Sequence, residues 1–295
     1  MSSAGPPLLP SARASLTSVV GLAGTARRPS WNVLLASALL VAGLMAYSPS
    51  PALTQGKDNA RDVMRRVLRD SRAEDEVIAV SMQLIDATGR VRRRTATFYS
   101  KKRNAEDSVR LIRFHAPPEF ARSGILTIER TDGDADQWIY LPAYHASRRI
   151  PTANRGDTWM GTDFTYEDIT DAKIERYEYR TIGSAQVNGV PCTMIEAIPR
   201  ERKLVEESAY AKTVSCVDVD QSVSLRIDYF DRSGEVFKVL TNSGLRRFGK
   251  YRRWDVSEME DVKRKHKTRL EAEDRKIDRG LGDEYFDVRY LERGR

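Results

Sequence analysis

The chain has 295 residues, 49 basic against 42 acidic side chains, a formal net charge of +7 and 40% apolar residues. Its three histidines, His115, His145 and His266, are scattered; no serine or cysteine sits in a nucleophile motif and no phosphate loop is present, so composition argues against an enzyme. The mild positive charge suits contact with anionic lipid headgroups without demanding it.

Residues 1–52 carry Arg13, Arg27 and Arg28 and no acid. Residues 33–46 are an unbroken run of apolar or small residues, followed by a small-residue exit at Ser50, Pro51 and Ala52. A basic segment, an apolar run and such an exit are the grammar of a secretory signal. The run is shorter than the roughly 20 residues that span a bilayer. Cleavage is therefore expected, with an uncleaved inner-membrane anchor as the alternative. No cysteine stands at the exit of this run, so N-terminal lipidation of the chain itself is not expected. Residues 53–295 then form one periplasmic domain, with 46 basic residues against 42 acids, a formal +4.

Residues 58–72 read as a helix, with Val63, Val67 and Leu68 on one face and Asp58 or Asn59 as cap. After Asp75 the period changes to two. Ile78, Val80, Met82 and Leu84 alternate with smaller or polar residues, and 91–99 return after the Ala87-Thr88-Gly89 turn. Further strands are predicted over 109–114, 124–130 and 137–141, with Pro117 and Pro118 breaking the first. No helices intervene, so this is an antiparallel meander. Residues 142–168 read as a long connection, a length that is usually functional. Later strands are expected over 172–187, 191–199, 209–218, 223–231, 235–242 and 245–256, turned by Asn188-Gly189 and Arg232-Ser233-Gly234. Residues 258–279 fit either two strands or a polar helix.

Cys192 and Cys216 would both be exported into an oxidising compartment. A hairpin centred near Leu204 sets them opposite each other and predicts a disulfide; two buried free thiols are the alternative. The basic and aromatic residues of 245–254 (L-R-R-F-G-K-Y-R-R-W) would suggest nucleic acid in a cytosolic protein, but export favours a solvated strand face.

The stretch 138–168 contains W-I-Y-L-P-A, then R-R-I, then M-G-T-D-F-T-Y-E-D. With R-F-H-A-P-P at 113–118, S-G-I-L-T-I at 123–128 and D-Y-F-D at 228–231, it resembles the outer-membrane lipoprotein-sorting proteins of the LolA-like type over most of residues 60–292. Cys216 departs from that pattern, where an aromatic residue is more usual. The resemblance implies a mainly β fold: an open, strongly curved antiparallel half-barrel, here of about ten or eleven strands, with an N-terminal helix and a covering loop. It implies a monomeric, non-enzymatic periplasmic carrier of lipid or lipoprotein acyl chains, without cofactor or metal. The alternative it leaves is an accessory subunit of an RND/MMPL-type inner-membrane exporter that carries no lipid. An outer-membrane acceptor would be a further partner.

Parity along the strands nominates Ile112, Phe114, Leu126, Ile128, Trp138 and Tyr140 as the acyl-binding wall. The opposite parity would turn Ile125, Ile139 and Leu141 inward. Arg148, Arg149, Trp159, Met160 and Phe164 mark residues 142–168 as a lid or docking loop; the plainer reading is that Met160 and Phe164 plug the barrel. Arg148 and Arg149 would meet a headgroup or partner, or else pair with Asp163, Glu167 or Asp168. That acidic trio matches no standard cation loop. N-terminal sequencing of the exported protein is expected to begin near Leu53; a membrane-retained chain starting upstream of Trp31 would contradict the soluble form.

Overall fold

The computed structural model describes residues 59–104, 107–131 and 133–293. The expected signal segment 1–52 and the candidate cap Asp58 lie outside the described residues. Helix α1 spans Ala60–Asp70, and Asn59 caps it by accepting the Arg61 N–H at 3.2 Å. Asp62 in its first turn and Arg69 in its last complement the helix dipole.

One antiparallel sheet of thirteen strands follows. Strands β1 (Asp75–Ile85), β2 (Val91–Lys102), β3 (Ser108–Ala116), β4 (Gly124–Ile128), β5 (Asp136–Leu141) and β6 (Ala146–Ile150) run in order to one edge. The chain then crosses to the other edge and returns. Its path is β7 (Tyr177–Val187), β8 (Val190–Pro199), the short helix α2 (Arg202–Glu207), β9 (Lys212–Asp218), β10 (Val223–Phe230), β11 (Val236–Phe248), β12 (Tyr251–Asp261) and β13 (His266–Ile277). β13 pairs with β1, so the two halves meet in mid-sheet and β6 and β7 remain unpaired edges. Helix α3 (Val288–Arg293) ends the described chain.

The fold class is the expected one, an open curved antiparallel sheet, and the differences lie in its details. β6 falls inside the presumed loop, because A-S-R-R-I carries no apolar alternation. β11 runs through the expected turn at 243–244, and the hairpin turns at Gly249-Lys250 instead. Gly244 is needed there: at φ +69°, a Cβ on it would sit 3.0 Å from that of Asp255. Residues 258–279 form a hairpin, its charges paired across strands as in Lys267–Glu258 at 3.2 Å.

The two faces of the sheet are distinguished by what they gather. Val80, Met82, Leu84, Ala96, Ile112, Phe114, Ile125, Tyr229 and Met259 join one cluster. Strands as distant as β4 and β10 can meet only on the inside of the curve. The other face buries Val109, Leu111, Leu126 and Tyr140 under Phe286 and Leu291 of the C-terminal segment. Helix α1 lies on the inner side, where Ala60 and Val63 pack on Ile195 and Val217.

Cys192 and Cys216 are disulfide-bonded, with Cα atoms 5.3 Å apart, on the outer face against Val223 and Leu225. Met194, not Cys192, faces Cys216 in the β8–β9 pairing. The hairpin is thus offset by two residues from symmetry about Leu204. That keeps both sulfurs on one face and makes the bridge diagonal. Cys216→Ser, read by chemical denaturation, is expected to lose about 3 kcal/mol from the freed loop entropy of the unfolded chain. Reductant should cost the wild type the same and the variant nothing.

Candidate functional site

Residues 151–176 connect edge β6 to edge β7, and they do so through the concave face. Trp159, fully buried, reaches Phe114 with ring centroids 6.1 Å apart and Phe164 at 6.5 Å. A tight turn presents these two rings: the Trp159 N–H donates to the Phe164 carbonyl at 3.1 Å, and Thr162 Oγ1 donates to the Trp159 carbonyl at 2.8 Å. Gly161 at φ +71° makes the turn possible. The segment is a plug.

Polar groups on the barrel wall satisfy the backbone of this plug. Arg94 of β2 donates to the Met160 carbonyl at 2.5 Å while its guanidinium lies 3.7 Å over the Phe120 ring. Lys238 of β11 donates to the Asp163 carbonyl at 2.8 Å. Gln137 of β5 donates to the Tyr166 carbonyl at 2.9 Å. Asp163 is the central latch. Its N–H donates to Thr268 Oγ1 at 3.0 Å, and its carboxylate accepts from Thr268 Oγ1 and from His266 Nδ1, each at 2.7 Å. At the far end, Asp171 pairs with Arg110 of β3 and with Arg72.

The remaining acids of the motif are half-buried and hydrogen-bonded. Asp168 accepts the Thr165 N–H at 2.6 Å and the Tyr210 hydroxyl at 2.8 Å. Glu167 accepts the Ala209 N–H at 2.8 Å and Ser208 Oγ at 2.9 Å. Burial, then the nearby Asp168 charge, pushes the Glu167 carboxyl up to about 7. Burial likewise raises Asp168 and lowers Lys238. Among the described residues no cluster of three or more His, Cys, Asp or Glu could hold a metal ion.

The six residues nominated as an acyl wall do not share a face. Ile112 and Phe114 point inward, and with them Ile125 and Ile139; Leu126, Ile128, Trp138 and Tyr140 point outward under the C-terminal segment. Within β4 and β5 the parity was consistent, since Leu126 faces Trp138. The slip is at β3–β4, where Ile112 faces Ile125, and one residue of register exchanges the faces of a strand. Arg148 and Arg149 lie on edge strand β6 and touch none of the plug acids. Arg148 lies 4.5 Å over the Tyr144 ring, and Arg149 pairs with Asp136. Sequence reasoning missed Arg94, Lys238, His266 and Thr268. A charged residue at an inward position of an apolar strand, such as Lys238 in V-F-K-V-L, was the available signal.

Two cavities flank the C-terminal half of α1. The larger, about 890 Å³, is lined by Leu68, Ile174 and Ala172 with a charged rim that includes Arg65 and Arg176. The smaller, about 570 Å³, lies between α1 and the β11–β12 hairpin.

A family model described as an uncharacterized protein family matches residues 106–293. No curated protein matches the chain. Among solved structures, a domain described as an outer-membrane lipoprotein-sorting protein from Vibrio parahaemolyticus is 27% identical, with TM-score 0.74 over 79% of this chain and 98% of its own. A DUF1329-family protein from Desulfovibrio piger is 26% identical, with TM-score 0.73 over 79% and 97%. A LolA-superfamily protein from Nitrosomonas europaea, 16% identical with TM-score 0.62 over 79% and 99%, shares the fold. The architecture is thus the open, curved antiparallel sheet that these solved structures share. The chain belongs to the family of the model that matches residues 106–293, and its fold is that of the LolA-like lipoprotein-sorting proteins.

The raised Glu167 carboxyl makes the plug sensitive to pH. A carboxyl held above its ordinary 4.5 in the folded state stabilises that state below about 4.5, and the contribution is lost as pH rises through about 7. The thermal midpoint is expected to fall between pH 5 and pH 8. Glu167→Gln should flatten that slope; an unchanged slope would show that Glu167 does not cause it.

Proposed function

We propose that the protein is a periplasmic carrier that shelters the acyl chains of a lipid or lipoprotein against the concave face of its half-barrel and moves them toward the outer membrane. The observation that carries this reading is how the inner face is covered. Among the described residues no second sheet closes it. A single crossing segment and one helix do, held by discrete hydrogen bonds that can be exchanged. Each methylene laid on such a face contributes about 0.8 kcal/mol without a headgroup code. The Trp159 indole N–H supports the reading, since it is buried without an acceptor among the described residues. An orphaned donor of that kind costs about 1–3 kcal/mol, so the closed plug is not an optimised end state. The cavity of about 890 Å³ under α1 would be the way in. Exposed Tyr144, with Arg148 stacked on it, would dock an acceptor.

One observation favours a second reading, the exporter accessory that carries no lipid: Trp159 and Phe164 fill the groove. A fluorescent fatty acid separates the two. The carrier should bind it, and Phe98→Glu, which places a charge on the inner face, should weaken binding at least tenfold. Trp138→Glu, on the outer face, should leave it unchanged. No binding by the wild-type protein would leave the accessory reading in place; equal loss in both variants would remove the inner face as the site.

A further inference from the structure

The smaller cavity differs in chemistry from the apolar groove. Its lining includes Arg69, Arg72, Lys102, Lys250, Arg252 and Arg253, against only two acids, Asp70 and Glu74. Arg69 pairs with Asp70 at 3.0 Å and Lys102 with Glu74 at 3.0 Å, which accounts for both acids. Arg72 is tied to Asp171 at the end of the plug. The other three cations have less opposing charge. Lys250 makes no ion pair among the described residues; its ammonium lies 5.0 Å from the Tyr251 ring centre. Arg252 donates to the neutral amide of Gln221. Arg253 shares Glu76 with Arg275, so two guanidinium groups face one carboxylate, the only ion-pair partner of either among the described residues.

Arg253 is also the group with a hydrogen bond left to give. It is 7% exposed, and its Nη2 is buried with no acceptor among the described residues, while Nε binds Glu76 at 3.1 Å and Nη1 binds the Arg252 carbonyl at 2.9 Å. A buried, charged donor without a partner is costly and calls for one. Around it the cavity offers neutral hydrogen-bonding groups in Ser222, Ser224, Asn242 and Tyr251. The C-terminal end of α1 also faces this space, but Ser71 covers its last carbonyls: the hydroxyl donates to Leu68 at 2.7 Å and the N–H to Val67 at 3.0 Å.

We infer that the cavity between α1 and the β11–β12 hairpin is an anion site for a phosphate group, with Arg253 as its buried donor and Lys250 and Arg252 as its rim. Guanidinium forks match phosphate oxygens, and the charge of a phosphate group would offset part of the excess. The phosphate would come from a lipid headgroup or from a free phosphate ester. The site goes beyond the carrier reading and does not depend on it, because its ligand chemistry and residues are separate from the apolar groove.

The test uses the full chain. Calorimetric titration with inorganic phosphate and glycerol phosphate is paired with flotation on phosphatidylglycerol or phosphatidylcholine vesicles. Saturable binding of a soluble phosphate is expected, weakened at least tenfold by the double variant Lys250→Gln with Arg252→Gln. Lys263→Gln with Lys276→Gln, exposed cations elsewhere, should have no effect. Preference for phosphatidylglycerol vesicles, competed by glycerol phosphate, identifies a headgroup site; soluble binding without vesicle preference identifies a free ester. Because Arg253→Gln also removes an ion pair, the rim variant decides if Arg253→Gln fails to fold. Absence of phosphate binding, or equal loss in rim and control variants, overturns the site. Retained fatty-acid binding in that case would leave the carrier reading standing.

Discussion

A sheet that grows in both directions from its middle must have its two edges joined by chain. β1 and β13 sit together at the centre, so the segment between β6 and β7 has to travel from one rim of the half-barrel to the other. The short way is across the concave face. Everything particular to this inner face follows from that. A loop laid in an apolar groove brings amides and carbonyls that need partners. The wall supplies them from Arg94, Gln137, Lys238 and Thr268, none of which an empty apolar groove would require. The loop supplies the rest from Asp163 and Asp168. The dense motif at 160–168 is the chemistry of that crossing.

Local periodicity carried much of the fold into view. The alternation of Ile78, Val80, Met82 and Leu84 gave a strand with the correct inner face, because parity within one strand depends only on neighbours. Parity between strands depends on the turn that joins them. The β3–β4 connection holds Phe114 against Ser123 through the Phe114 N–H, a register that hydropathy does not encode. Ile112 and Leu126, nominated for one wall, therefore lie on opposite faces, both buried. β6 was hidden for a different reason. As an edge strand with exposed arginines it has little apolar surface to alternate. The plug's anchors were hidden because they are charged residues pointing inward, which periodicity scores as errors. His266 was visible only as one of three scattered histidines, and its meaning depends on Asp163, which lies 103 positions earlier.

The inward charges fall into two groups with different physical roles. Under the plug, Lys238, Arg94 and the Asp163 latch each hydrogen-bond the crossing segment or its wall, and such a network specifies one seating of the loop. Near the smaller cavity, Glu76, Arg253 and Arg275 form a trio with one carboxylate for two cations. A buried charge imbalance of this kind is weak as a source of stability. The first group explains why the groove is closed in this structure. The second is what remains once the requirements of folding are met.

On the carrier reading, closing and opening must be nearly balanced, and rough magnitudes agree. The anchors from Arg94, Lys238, Gln137, Thr268 and His266 contribute about 1 kcal/mol each, roughly 5 in all. Burial of Trp159 and Phe164 adds about 1.5–3 kcal/mol per ring. The plug is thus held on its face by about 8–11 kcal/mol. A sixteen-carbon chain laid on the same face returns about 12 kcal/mol at roughly 0.8 per methylene. The two occupants are close enough for either to displace the other. A dry core completed by a second sheet would not allow this, because no single segment could leave it. On that reading, the crossing that the topology imposes on the chain leaves the inner face covered by something that can be exchanged.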